Sequence, residues 1–250
     1  SSNLCDLAVL VIDVMHGLEQ QTLESIDLLR KRRTPFIVAL NKCDVVHGWQ
    51  KVEYRSSKSA LEAQEGQVID EYEMRRDKAF LQFNENGLNI CEYWKNTDPR
   101  TYISAVPTSA MTGEGIPDIL GMIVKYNQKY LKKKILQRNT EFQCTVLEVK
   151  KISGVGTTVD VVLVNGKLKV GDTIVLAGFN GPIVTKIRAL LTPQPMKEIR
   201  VKGDYIHHQV CYGAMGIKIS APELDYALAG GELYKAENEE DIDELCEEIQ

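Results

Sequence analysis

The sequence predicts an α/β unit followed by an all-β barrel. Three observations carry that expectation. Two apolar runs, residues 4–13 and 36–40, flank a stretch with helical spacing. Near residues 137–141 the hydrophobic period changes from helical repeats to strand alternation. Beyond that point glycine-rich turns recur at short intervals as far as about Tyr234.

In chain order, residues 4–13 (LCDLAVLVID) form a continuous apolar run ending in an acid. That is the pattern of a strand buried on both faces of a parallel sheet. Residues 18–33 set Leu18, Thr22, Ile26 and Leu29 at helical spacing, and Arg30-Lys31-Arg32-Arg33 complements the dipole at the helix C-terminus. Thr34-Pro35 stops this helix, and residues 36–40 read as a second buried strand, completing a right-handed βαβ unit. Residues 46–100 are polar and irregular at first, then helical, with Leu61, Val68, Ile69, Tyr72, Ala79, Phe80 and Phe83 in one apolar stripe. Asn86-Gly87 supplies the C-terminal stop. Residues 102–106 read as a third strand closed by Pro107, and residues 116–136 as a helix ending in Lys132-Lys133-Lys134.

From about Glu141, alternating strands are separated by Ser153-Gly154-Val155-Gly156, Asn165-Gly166, Val170-Gly171-Asp172 and Asn180-Gly181. Asn-Gly between β-branched runs signals a hairpin, and short strands at regular spacing predict a small barrel. Residues 235–250 follow as an acidic segment, helical or disordered.

The formal net charge is −5, but residues 235–250 hold eight acids and one lysine, so residues 1–234 carry +2. The acidity belongs to the tail and leaves the body compatible with an anionic partner such as RNA. The basic runs at 30–33 and 132–134 read as solvated helix ends in preference to RNA contacts. No segment reaches the roughly 20 apolar residues of a membrane span, and the N-terminus lacks the pattern of a signal peptide. The six cysteines include no C-x-x-C pair. Together these features give the expectation of a soluble, cytoplasmic chain with reduced thiols. His207-His208 has no cysteine partner at metal-ligand spacing, so a structural or solvent-facing role is expected and no metal site.

The chemistry concentrates where the second strand ends, in Asn41-Lys42-Cys43-Asp44, and in Ser109-Ala110 after the third. Guanine presents two adjacent donors, N1–H and its 2-amino group, beside the acceptor O6. A carboxylate at Asp44 accepts both donors, whereas adenine offers it a lone pair at N1. Asn41 carries a donor and an acceptor with which to brace base and loop. The alkyl stem of Lys42 can lie along the flat base with its ammonium in water. Ser109-Ala110 would bring a backbone N–H near O6, and Thr112-Gly113-Glu114-Gly115 turns into the next helix. These residues lie at the C-terminal ends of strands, where open α/β sheets bind ligands. Alone, Asn-Lys-x-Asp is also a serviceable polar strand-to-loop exit; the preceding strand and the Ser-Ala-x-x-Gly-x-Gly sequence favour base recognition.

No G-x-x-x-x-G-K-[ST] phosphate loop occurs in the 250 residues. Asn165-Gly166-Lys167 has Val161 where the first glycine would stand. Asp118-Ile119-Leu120-Gly121 lies inside a helix and is a chance D-x-x-G match. Residues 7–13 also resemble a strand that offers Asp13 to Mg²⁺, but a helix rather than a phosphate loop follows. Asp13 is therefore read as an acceptor for loop backbone.

The run Cys5-Asp6-Leu7-Ala8-Val9-Leu10-Val11-Ile12-Asp13-Val14-Met15-His16-Gly17-Leu18-Glu19, continued by Asn41-Lys42-Cys43-Asp44, resembles the family of translation initiation factor five-B. That family is the eukaryotic and archaeal counterpart of bacterial initiation factor two. Asp98-Pro99-Arg100-Thr101, Pro107-Thr108-Ser109-Ala110, Gly156-Thr157-Thr158-Val159-Asp160-Val161, Gly181-Pro182-Ile183-Val184-Thr185 and Pro195-Met196-Lys197-Glu198 extend the likeness from the first residue to about Lys235. It implies a ribosome-dependent GTPase that promotes subunit joining and works with GTP or GDP and Mg²⁺. The implied partners are small-subunit RNA through the barrel, initiator tRNA through later domains, and other initiation factors, with no membrane. Asn41, Lys42 and Asp44 match the family's base-reading motif, and Ser109-Ala110 its second guanine contact.

The implied organisation is the C-terminal half of a P-loop GTPase G domain over 1–138, with an insertion at about 46–100. Domain II, a barrel of the translation-factor type, covers 139–234. An acidic linker or helix, 235–250, points towards a third domain. The pattern's phosphate loop, switches and metal ligands find no match, so no catalytic residue and no metal ligand is expected in this chain, and the piece alone is expected to be inactive. A non-catalytic ribosome- or RNA-interaction module and another translational GTPase, such as an elongation factor, remain the competing readings.

Overall fold

The structure, a computed structural model, describes residues 5–132, 141–195 and 204–249. They form two compact units, one within residues 5–137 and the other within 138–250.

The first unit is a four-stranded parallel sheet in the order β1-β2-β4-β3: β1 (Ala8–Asp13), β2 (Phe36–Asn41), β3 (Asn89–Glu92) and β4 (Tyr102–Pro107). Helices α1 (Gln20–Lys31) and α3 (Gly66–Glu85) bring Ile26, Ala79 and Phe83 against Leu10, Ile12, Val38, Leu40 and Ala105 on one face. Helix α4 (Ile116–Tyr126) covers the other face, packing Ile119, Met122 and Tyr126 on Ile37, Ala39 and Val106. A short α2 (Ser57–Glu62) is capped by the Ser56 side chain, which accepts the Ser59 N–H. A one-turn π segment, Asn127–Leu131, continues α4, and residues 133–136 of the expected helix lie outside the described residues.

Two sequence expectations change here. β1 is buried on one face only, with Val9 and Val11 exposed, because it is an edge strand and α4 packs over β2 and β4. Leu4 lies outside the described residues. Residues 89–92 form an additional strand, β3, paired in parallel with β4. Its only aliphatic side chain is Ile90, and its buried Glu92 is held by Arg76 at 2.6 Å and Lys95 at 3.4 Å. Four residues with one aliphatic side chain give no strand signal.

The second unit is antiparallel throughout. Its eight-stranded sheet runs β11-β10-β13-β6-β5-β14-β8-β9, beside a ribbon of β7 and β12. The strands are β5 (Gln143–Ile152), β6 (Gly156–Asn165), β7 (Lys167–Lys169), β8 (Thr173–Leu176), β9 (Ile183–Lys186), β10 (Ala189–Pro193), β11 (Tyr205–His208), β12 (Val210–Tyr212), β13 (Met215–Ser220) and β14 (Glu232–Ala236). The curled sheet surrounds one core that includes Val146, Val159, Val161, Leu163, Ile174, Leu176, Leu190, Ile217, Ile219 and Leu233, and the ribbon adds Leu168 and Cys211. Asn180-Gly181 joins the paired strands β8 and β9, as expected. Asn165-Gly166 does not close a hairpin. β6 already pairs with β5 and β13, so the chain turns a corner and β7 pairs with β12 instead. Helix α5 (Glu239–Ile249) carries the acidic tail. No helix among the described residues is long and apolar enough to cross a membrane.

Candidate functional site

Parallel pairing of β2 with β4, Val38 opposite Ala105 and Leu40 opposite Pro107, brings their C-terminal ends side by side. The loops that follow are laced together. Thr108 N–H donates to Leu40 O at 2.9 Å and Cys43 N–H to Thr108 O at 3.2 Å. Asn41 Oδ1 accepts the Ala110 N–H at 2.9 Å and the Thr108 hydroxyl at 3.3 Å. The carboxamide oxygen is thus committed to the protein, and Nδ2 is the group left to donate to a ligand.

Lys42 stands in the left-handed region at φ 68 and opens a single 3₁₀ turn, Cys43–Val45. Its Nζ reaches Asp13 Oδ2 at 2.7 Å, while His16 Nδ1 meets the same oxygen at 2.9 Å and the Met15 N–H donates to Oδ1 at 2.9 Å. Partial burial works to raise the Asp13 pKa, but hydrogen bonds from Lys42, His16 and Met15 prevail and hold it below the usual carboxylate range. The Lys42 ammonium is raised, first by its hydrogen bond to Asp13. A cavity of about 560 Å³ between β1 and α1 is lined by Asp13, His16, Glu19, Thr22, Asn41 and Lys42. Asp13 does satisfy loop backbone, as expected. With both oxygens engaged by N–H donors, two of them on basic side chains, it does not fit a Mg²⁺ ligand.

Cys43 points inward against Val14 and Tyr72 of α3, and burial pushes its thiol up to about 12. This inward residue sends its neighbour Asp44 outward. Asp44 is half-buried and its carboxylate makes no hydrogen bond or ion pair among the described residues. Two acceptor oxygens are therefore available beside Asn41 and Lys42, the acceptor pair that a base with adjacent N1–H and 2-amino donors requires.

Ser109 departs from the simplest expectation. Its side chain is fully buried, and its N–H donates to Glu114 O at 2.9 Å. The hydroxyl receives the Thr112 N–H at 3.2 Å and lies 2.9 Å from Thr112 Oγ1, which donates in turn to Glu114 Oε2. Ser109 shapes the loop from inside, and Ala110 carries the exposed backbone.

Sequence reasoning missed how segment 46–57 supports this loop. Glu114 Oε1 accepts the Val52 N–H at 2.9 Å and the Trp49 indole N–H at 3.4 Å. Tyr54 N–H donates to Thr112 O, Gly115 N–H to Arg55 O, and the Ser57 hydroxyl to Pro107 O at 2.6 Å. Gly115, at φ 74, approaches so closely that a Cβ there would lie 2.0 Å from Pro107 O. The signal available in the sequence was a carboxylate between two glycines, Gly113-Glu114-Gly115, which reads equally well as a solvated turn.

Among the described residues, no group of three or more His, Cys, Asp or Glu side chains is placed to hold a metal ion. His208 Nε2 lies 2.7 Å from Thr192 Oγ1, a structural contact between β10 and β11.

Residues 1–129 match the family described as the Elongation factor Tu GTP binding domain, and residues 156–233 match Elongation factor Tu domain 2. Eukaryotic translation initiation factor 5B of Saccharomyces cerevisiae is 48% identical over 99% of this chain, which spans 25% of that protein. A probable translation initiation factor IF-2 of Sulfurisphaera tokodaii is 39% identical over 99% of this chain and 41% of its own length. The crystal structure of GDP-bound aIF5B from Aeropyrum pernix superposes with a TM-score of 0.87 at 39% identity, covering 99% of this chain and 42% of that one. The chain belongs to the Elongation factor Tu GTP binding domain family, and over nearly its whole length it is similar to the five-B and IF-2 initiation factors.

Proposed function

We propose that this chain is the base-reading part of a GTP-dependent translation initiation factor. Guanine is held by Asp44 through N1–H and the 2-amino group, by Asn41 Nδ2, by the Lys42 stem along its face, and at O6 by the Ala110 N–H of the Ser109-Ala110 backbone. That N–H is shared with Asn41 Oδ1, because the Ser109 N–H is taken by Glu114 O. The observation that carries this reading is the uncommitted Asp44 carboxylate beside an Asn41 whose Oδ1 is already spent on Ala110. The likeness to a GDP-bound archaeal structure supports a guanine nucleotide as ligand.

On this reading residues 1–138 belong to the GTP-binding domain, with 46–100 inserted, residues 139–234 are domain II, and 235–250 lead towards a third domain. The longer protein hydrolyses GTP with Mg²⁺ on the ribosome in the cytoplasm and promotes subunit joining. It works with initiator tRNA and other initiation factors, its barrel facing small-subunit RNA. The similarity to initiation factors supports this assignment. No residue described here is assigned to hydrolysis, and we expect the 250 residues alone neither to turn over GTP nor to bind it tightly.

The test is base preference. Two charge-assisted hydrogen bonds correspond to roughly 10²–10⁴-fold discrimination. In the full-length factor, Asp44→Asn replaces an acceptor with an amide that can donate to the 2-oxo group of xanthine. A competition assay should show preference moving from GTP towards xanthosine triphosphate. An unchanged preference removes Asp44 from the site and defeats the reading.

A further inference from the structure

We propose that Glu114 is a positioning residue for guanine recognition, holding the Ser109-Ala110 backbone in place through segment 46–57. The inference rests on the guanine reading above. Glu114 is 1% exposed, and a buried carboxylate is expensive unless it is hydrogen-bonded from several sides. Here three donors from two stretches converge on it: the Val52 N–H and the Trp49 indole N–H of segment 46–57, and the Thr112 hydroxyl of its own loop. Burial would raise its pKa, but these bonds outweigh burial and keep it ionised below the usual range.

The geometry carries that anchorage to the base-facing backbone by two routes. The Ser109 hydroxyl hydrogen-bonds to Thr112 Oγ1, and Thr112 donates to Glu114, so the side chains form a relay. The Glu114 carbonyl independently accepts the Ser109 N–H. Outside the relay, the Tyr54 ring lies over Gly113, where a Cβ would come within 2.4 Å of it. Segment 46–57 thus grips the loop through Glu114, Thr112 and Gly113, all three of them buried.

The test uses the full-length factor and GDP carrying a fluorescent ribose label, competed with GDP and 6-thio-GDP. The sulfur of 6-thio-GDP is a poor acceptor in place of O6. Glu114→Ala should weaken labelled GDP about 10- to 100-fold and reduce the preference for GDP over 6-thio-GDP about tenfold. Glu114→Gln, which keeps an acceptor for Val52 and Trp49, should restore affinity to within about threefold of the parent. Trp49→Phe, which removes one donor and keeps the ring's bulk, should weaken labelled GDP about threefold and serves if the alanine variant does not fold. A folded Glu114→Ala protein with unchanged preference for GDP over 6-thio-GDP overturns the proposal, as does a Trp49→Phe protein that binds like the parent when the alanine variant cannot be tested. Asp44→Asn run alongside separates the two ideas. If it loses guanine preference while the Glu114 variants do not, the positioning role fails and the guanine reading stands. If it keeps guanine preference, the guanine reading fails.

Discussion

Asn41 Oδ1 and the Ala110 N–H are 2.9 Å apart, joining the ends of β2 and β4 across 69 residues of sequence. One carboxamide therefore braces the second loop and leaves its Nδ2 for a ligand.

Asn41→Asp separates those two tasks. A carboxylate still accepts from Ala110 but has no donor to offer. The variant should keep its melting temperature within a few degrees while guanine nucleotide affinity in the full-length factor falls about tenfold or more. Equal losses in stability and binding would show that the brace, not the donor, is what matters.

Gly115→Ala should be among the most disruptive single-methyl changes in the first unit. The new Cβ would meet the Pro107 carbonyl at 2.0 Å, and φ is 74. A backbone oxygen held in a sheet cannot retreat cheaply, so destabilisation of about 2–4 kcal/mol is expected from chemical denaturation. Gly87→Ala, also at positive φ but with nothing within 4 Å, should cost about 1 kcal/mol.

In the second unit, Lys218 and Asp160 face each other on β13 and β6, at 1% and 3% exposure, and are ion-paired. Lys218 Nζ also lies 5.8 Å from the centroid of the Tyr205 ring. Asp160→Ala strands a buried ammonium and should destabilise the barrel by about 3–5 kcal/mol, whereas Asp160→Leu with Lys218→Met should recover most of that loss. Urea titration of the two variants checks the difference.

Acid should weaken the Asp13 contacts before neutral pH matters to them. The folded carboxyl has the lower pKa, so its contribution is complete above the unfolded value, about 4, and is lost as pH falls through the folded value. The raised Lys42 contributes up to its ordinary value of 10.5 and loses that contribution as pH climbs through its folded value. Asp13→Asn should flatten both limbs of a pH–stability profile, measured by thermal melting between about pH 3 and 11.

Much of this was legible from residue order. The apolar runs that become β1 and β2, the helical stripe through Ile26 and the period change into the barrel are all properties of neighbouring residues. The placing of Asn41 at the end of β2 and of Asp44 just beyond it was legible for the same reason, since a strand's end fixes where its next residues point. What escaped was non-local. Exposure of Val9 and Val11 depends on which strands α4 covers, and the corner at Asn165-Gly166 depends on both sides of β6 being occupied. Glu114 looked like a turn residue because the groups that define it, Trp49 and Val52, are 65 and 62 residues away.

If the proposed guanine reading holds, that distance bears on any attempt to transplant base choice into another scaffold. An engineer copying Asn41–Asp44 and Ser109-Ala110 would carry two short stretches and leave behind the carboxylate that anchors the second. Grafts that also include Trp49, Val52, Thr112 and Glu114 would keep the joint as well as the two surfaces it aligns.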